Sequence, residues 1–444
     1  MARLSKIALA MALVFIQASS LFGDPSAAAA ERGELPLKWR TKTITIAMSS
    51  SLLNPASNIK DGTDVVAAVR RSLKVWEDAS GVEFREISSD KINVSPQGMA
   101  GDGISLITVA PTAENALLFA KNAEETAATT RVFYDARGRI SEADIVLNPY
   151  QQFSADGTFG TFDIEATLTH EIGHVLGLEH STVRGSTMYE NFGKNGVFGL
   201  HGFAHRTLSE LDRTAARQKY GAPSGSGDCC GTVNAKLQLP EGKPAAGIEI
   251  WAEDVLTGKV VAQGQTAADG SADLNGLPNG SYLLYSGRKE RSKKPIPFQL
   301  VGNFRIGGGE PAQISKKLEA GSDEVEVQYT GFNGQLTMNA VPVNSGKSFT
   351  IYIGGRNLSA KGLSINFNSP HFEVVPASIT SHDYGSELSV ISFEVRVDPA
   401  APVGEYTIFA ENPSGARSAA VGALSVRTFN NPYSNLLLDA RSFR

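Results

Sequence analysis

Cysteine is nearly missing from this chain: two residues in 444, and they are neighbours, Cys229 and Cys230. A disulfide framework needs spaced pairs, so none is expected to hold the fold together. Adjacent Cα atoms sit about 3.8 Å apart, below the usual disulfide range, so a bond between the two would be strained. An intermolecular bridge is the other option, and a plain unlinked pair on an edge strand is the simplest reading. Strong charge is also lacking. The net charge is −5 with no basic stripe, which argues against a nucleic-acid partner. Past the first thirty residues no apolar run is long enough to span a bilayer. Histidine is scarce, with seven in all and none before His170, so no imidazole site is expected earlier in the chain.

What is present describes a globular, multi-domain protein. Apolar residues make up 41% and charged residues 20%, and 444 residues give room for two to four cores. Residues 1–30 stand apart: Arg3 and Lys6 precede an apolar run from Ile7 to Ile16, with small residues from Ala27 to Ala30. This reads as a secretory signal peptide without a lipobox cysteine, so the expected product is soluble and secreted, extracellular or periplasmic.

The stretch that organises the chain is HEIGHVLGLEH, from His170 to His180. His170 and His174 are four apart, one turn of a helix, so both imidazoles project from one face. Glu171 sits where its carboxylate can reach a water held at a metal bound by the pair. His180 lies six residues past His174, which on an unbroken helix rotates it by roughly 240° away from the metal. The helix must therefore stop, and Gly177 can take the left-handed conformation that turns the chain back. Three neutral imidazoles with one open position make a catalytic type of zinc site. Eight residues on, Ser186-Thr187-Met188-Tyr189 supplies a methionine at the spacing of a turn beneath such a site.

These residues resemble the matrixin branch of the metzincins, the matrix-metalloproteinase-like peptidases. Ser181 after the third histidine fits that branch, and the calcium-binding nonapeptide repeats of serralysins are missing. The resemblance continues through Lys38-Trp39 and TKTITIAM, the segment KVWEDASGVEFREI, and LSELDRTAARQKYG from Leu208 to Gly221, covering roughly residues 35–222. It implies an α+β catalytic domain, a five-stranded mostly parallel sheet with three helices. It implies one catalytic Zn2+ on His170, His174 and His180, Glu171 as general base, and Met188 as a Met-turn that ligates nothing. The Glu190 to Arg206 loop then walls the substrate pocket. Tyr189 is placed for packing more than for assisting an oxyanion. Two family features are not expected here: latency through a propeptide cysteine, since none precedes Cys229, and a structural zinc, since no histidine precedes His170. Asp135, Glu142 and Asp144 offer a possible site for Ca2+ but read better as solvated surface acids. His201 and His205 read as surface residues despite their spacing of four.

In chain order, Thr43 to Met48 alternates like a half-buried strand, and Thr63 caps a helix running to Ala79 that Gly81 closes. Val82 to Ile87 and Gly103 to Ala110 are strands, and Ala113 to Thr130 is loop with a short helix. Arg131 to Tyr134 and Ala143 to Leu147 flank an Asp135–Gly138 turn. The metal-site helix starts near Asp163, and Thr207-Leu208-Ser209-Glu210 reads as a capping box for a closing helix. After a 31–222 domain, residues 223–228 form a flexible linker. Residues 229–318 then resemble a carboxypeptidase-regulatory or prealbumin-like β-sandwich, and 319–429 an immunoglobulin-like domain of the TIG kind. His371 and His382 have no partners in sequence there, and 430–444 is a tail. The expected function is a secreted zinc endopeptidase acting on protein or peptide substrates, its β units targeting or spacing. The alternative is an adhesin or surface- and matrix-binding protein whose peptidase domain is vestigial or self-trimming.

Overall fold

The computed structural model describes residues 36–95, 101–124, 126–191, 193–196, 205–223, 229–287, 296–321, 325–385 and 388–427. The expected leader and tail, His201, and all but the first residue of the expected linker lie outside the described residues.

The N-terminal unit is a twisted sheet with helices laid on it. Its strands are β1 (Lys38–Trp39), β2 (Thr43–Ser49), β3 (Glu83–Ser89), β4 (Leu106–Thr108), β5 (Ala128–Tyr134) and β6 (Arg139–Leu147). They run in the order β6, β4, β2, β3, with every neighbouring pair parallel. β1 is also parallel to β6, at its N-terminal end. β5 alone is antiparallel, joined to β6 through the Asp135–Gly138 turn, where Asp135 Oδ1 accepts the amides of Arg137 and Arg139. The strands are dictated by β-branched alternation: Ile44 and Ile46 of β2 and Ile145 of β6 are fully buried on the helix side.

Four helices follow the strands: α1 (Val65–Ser80), the short α2 (Ala113–Leu117), α3 (Ile164–Val175) and α4 (Glu210–Tyr220). α1 is capped by Asp64, whose side chain accepts the Ala67 amide, and not by Thr63; a carboxylate also complements the helix dipole. Gly81 ends it at φ +61°, as its position suggested. Val69, Leu73 and Trp76 of α1 meet Leu168, Ile172 and Val175 of α3 over the sheet. Each such buried side chain contributes on the order of 2 kcal/mol. The fully buried Trp76 also donates its indole N–H to the Thr169 carbonyl at 2.7 Å, which fixes α1 against α3.

The C-terminal half is all β. One pair of sheets, Val260–Gln265, Glu249–Asp254, Gly280–Ser286 and Gln299–Ile306 against Ser271–Pro278, Cys229–Gln238 and Ala312–Lys317, shares a core that includes Val233, Leu237, Ile250, Leu274 and Leu284. A second pair, five strands around Ser348–Arg356 and four around Arg417–Val426, shares Ile351, Ile391, Phe393, Ile408 and Leu424. Both are sandwiches. Cys229 and Cys230 open the first, and here the simplest reading is corrected. A disulfide joins them, their Cα atoms 3.1 Å apart, closer than the trans-peptide spacing on which that reading rested.

Candidate metal centre

The site is assembled on α3 and on what stops it. Asp163 is the N-cap, accepting the Ala166 amide at 2.9 Å, and Arg206 fastens Asp163 in turn with an ion pair at 2.5 Å. At the other end the helix's last carbonyls need donors. The Trp39 indole donates to the Val175 oxygen at 2.7 Å and the Tyr220 hydroxyl to the Leu176 oxygen at 2.9 Å. Gly177 then turns the chain at φ +75°, and a Cβ there would lie 2.5 Å from the Leu37 carbonyl oxygen. Glycine is the residue that fits, and the turn returns His180 to the helix face.

The three imidazoles converge. His174 Nε2 lies 3.1 Å from His170 Nε2 and 3.2 Å from His180 Nε2. Among the described residues this trio is the His/Cys/Asp/Glu group arranged to hold a metal ion. His170 Nδ1 sits 2.7 Å from the Thr187 carbonyl and His174 Nδ1 2.8 Å from the Leu178 carbonyl. A carbonyl only accepts, so Nδ1 carries the hydrogen in both rings and Nε2 presents a lone pair. Burial holds both rings below the usual imidazole pKa, hence neutral. Lone pairs aimed at one point repel unless a cation lies between them. A tetrahedral zinc, with Zn–N bonds of about 2.0–2.1 Å, spaces its ligand nitrogens by about 3.3 Å, so the residues fit that ion.

Glu171 is buried beside the trio. Its Oε2 lies 2.5 Å from the Thr130 hydroxyl of β5, and burial pushes its carboxyl up to about 7 against that hydrogen bond. Beneath the histidines runs the Ser186–Tyr189 turn, whose Thr187 carbonyl orients His170. Met188 packs against Gly173, where any Cβ would overlap the Met188 sulfur and crowd Trp76. Asp212 of α4 holds this turn: its carboxylate accepts the Ser186 hydroxyl at 2.6 Å and the Thr187 amide at 2.8 Å. The same carboxylate closes a capping box with Ser209, which replaces the box expected at Thr207 and Glu210. Neither Thr130 nor Asp212 stood out in sequence. The Ser209-x-x-Asp212 spacing was the available signal for the second.

Other expected residues fall elsewhere. Glu190 is exposed, while Arg206 turns inward to Asp163 and to the Ala155 carbonyl. His205 is not fully exposed: it is half-buried, and burial lowers its pKa to about 3, with Arg427 adding to the effect. Glu142 and Asp144 are not solvated acids either. They are 1% and 0% exposed, and they accept Ser95 and the amides of Gly103 and Leu106. Of the three acids, only Asp135 is at the surface. Tyr189 is buried and donates its hydroxyl to the Met338 carbonyl at 3.0 Å, away from the histidines. His382 meets Ser392 at 2.7 Å and His371 lies 4.0 Å from Asp398, both in the second sandwich.

A mostly parallel sheet, a histidine-bearing helix ended by a glycine turn and a methionine turn below it together frame the three imidazoles. Residues 38–221 match the matrixin family model. The hatching enzyme of Paracentrotus lividus is 29% identical over 175 residues, 37% of this chain and 24% of that protein. Matrix metalloproteinase-2 of Drosophila melanogaster is 25% identical over 194 residues, 41% of this chain and 21% of that protein. The chain thus spans less than a quarter of the length of these curated relatives. Among solved structures, the major pilin subunit BcpA of Bacillus cereus aligns over 43% of this chain and 66% of its own, at 15% identity and a TM-score of 0.19, which carries no functional weight.

Proposed function

We propose that this chain is a secreted zinc endopeptidase, with residues 31–222 as its catalytic domain and the sandwiches at 229–318 and 319–429 as accessory modules. The observation that carries this reading is the convergence of three Nε2 lone pairs beside a buried carboxylate, within the residues that match the matrixin family model. His170, His174 and His180 would hold the zinc. When bound, zinc supplies Lewis acidity that lowers the pKa of water toward about 7 and polarises a carbonyl. Glu171 takes the proton from the attacking water and returns it to the leaving amine. Thr130 holds that carboxylate still, and burial keeps its proton affinity high enough for both transfers. A peptide in extended form suits the open edge of β5, which pairs only with β6 among the described residues. Met188 shapes the floor. No described helix is long and apolar enough to cross a membrane.

The test is cleavage of unfolded casein by residues 31–444, with and without a zinc chelator, beside Glu171→Ala. Chelator-sensitive cleavage, absent from a variant that still binds one zinc, supports the reading. Undiminished cleavage by Glu171→Ala overturns the role of Glu171. A zinc-bound chain that cleaves nothing favours the binding-protein alternative.

A further inference from the structure

Two of the three histidines ride on α3, but His180 does not. It sits past Gly177 on irregular backbone, with its side chain exposed. Whatever fixes residues 181–187, between His180 and Met188, fixes the third ligand. Asp212 of α4 holds Ser186 and Thr187, and residues 181–185 are held from outside residues 38–221. Ser181 and Thr182 donate their hydroxyls to Gln263 Oε1 of the first sandwich, at 3.1 and 3.3 Å. Val183 is buried in an apolar cluster with Trp251, Val260 and Tyr285 of the first sandwich and Phe409 of the second.

The second sandwich grips the next two residues. The Arg184 amide donates to the Val421 carbonyl at 3.2 Å, and its guanidinium to the Gln328 carbonyl at 2.9 Å. The Gly185 carbonyl accepts from Arg427 at 3.0 Å, and Arg427 is itself paired with the fully buried Glu405 at 2.8 Å. A Cβ on Gly185 would lie 2.5 Å from Glu405 Cγ, so a side chain there would force the two units apart. An exposed connector needs none of this. A chain held merely by a linker would leave these backbone groups to water.

We propose that the two sandwiches are a positioning part of the metal centre: by clasping residues 181–185 they set where His180 points. The inference rests on the reading of the three histidines as metal ligands. It changes the role of the β half, from spacer to scaffold, and it assigns Gln263, Arg427 and Glu405 to positioning. A ligand carried on a loop holds its geometry only if the residues behind it are fixed, and loss of such support typically costs a metal site about 10–100-fold in affinity.

The test uses the chain from residue 31 to 444 with two variants. One is Gln263→Ala, at a half-buried rim position outside the sandwich cores. The other is Arg427→Met with Glu405→Gln, which removes the ion pair without leaving a buried charge alone. Amide hydrogen exchange of residues 181–185 and the rate of zinc loss to excess chelator are measured together. Exchange and zinc loss each faster by about tenfold or more in the folded variants, with exchange in α3 unchanged, supports the clasp. Unchanged exchange in folded Gln263→Ala overturns it, as does faster exchange without faster zinc loss. A wild-type chain that takes up no zinc removes the ligand reading, and with it the positioning role, even where the exchange still reports the clasp.

Discussion

The Thr130 hydroxyl lies 2.5 Å from Glu171 Oε2 and 3.1 Å from the Glu171 carbonyl oxygen, so a single side chain of β5 fixes the carboxylate proposed as general base. A hydroxyl donating to a carboxylate favours its ionised form, and here it opposes the desolvation that raises the group. Thr130→Val removes that donor, so the Glu171 pKa rises further. The acid limb of the kcat/KM profile should move to higher pH, and kcat/KM at neutral pH should fall by about tenfold. Thr130→Ser should restore most of both. A Val variant with an unshifted profile would remove Thr130 from the mechanism.

Gly173 stands mid-helix between His170 and His174, where alanine would favour the helix by about 1 kcal/mol. Its reason lies across the interface: a Cβ would run into the Met188 sulfur and the Trp76 ring. Overpacking of this kind costs about 1–3 kcal/mol. Gly173→Ala should therefore lower the thermal midpoint and push the methionine turn away, and Thr187 with it, loosening the His170 ring that the Thr187 carbonyl orients. Melting curves and zinc content after dialysis check this. A variant that is more stable and keeps its zinc would show that the turn yields freely.

Local chemistry carried the parts of this site that were legible in sequence. The spacings of four and six between the histidines, with Gly177 between, specify a helix, its stop and its return, and the structure has each. The start of α3 near Asp163 and the Asp135–Gly138 turn were readable because caps and turns are set by a few adjacent residues. The illegible parts depend on partners far along the chain. Glu142 and Asp144 look like surface acids until Ser95, Gly103 and Leu106 satisfy them with backbone amides. Arg206 reads as a pocket residue until it meets Asp163, 43 positions away. The sandwiches read as separate modules because nothing local marks Gln263 or Arg427 as partners of residues 181–185.

Tyr189 follows the methionine and has the chemistry to stabilise an oxyanion, yet its hydroxyl is spent on the Met338 carbonyl of the second sandwich. Tyr189→Phe should leave kcat/KM within about twofold and cost stability by about 1 kcal/mol, the net worth of one hydrogen bond. Loss of a hundredfold or more in kcat without a change in zinc binding would return the hydroxyl to the reaction, since oxyanion donors are worth about that much.

The two sandwiches meet over a buried carboxylate. Glu253 is 1% exposed and accepts from the Trp251 indole at 2.9 Å, the Thr407 hydroxyl at 2.6 Å and the Asn368 amide at 3.0 Å, the last two from the second sandwich. Burial raises its pKa to about 7 in spite of these donors. The folded chain therefore binds the proton more tightly than the unfolded one, whose carboxyl titrates near 4.5. Stability must then fall as the pH climbs from about 4.5 to about 7, and this contribution must level off above that. The full loss is about 3 kcal/mol. Glu253→Gln keeps an oxygen for Trp251 and Thr407 but carries no charge, so its curve should lack this slope. Between pH 5 and pH 8 the wild-type melting midpoint should drop by on the order of 10 °C more than that of the variant, which should be the more stable of the two at pH 8. Parallel curves would mean that the three donors already hold the carboxylate charged at pH 5, and that the junction between the sandwiches does not respond to pH.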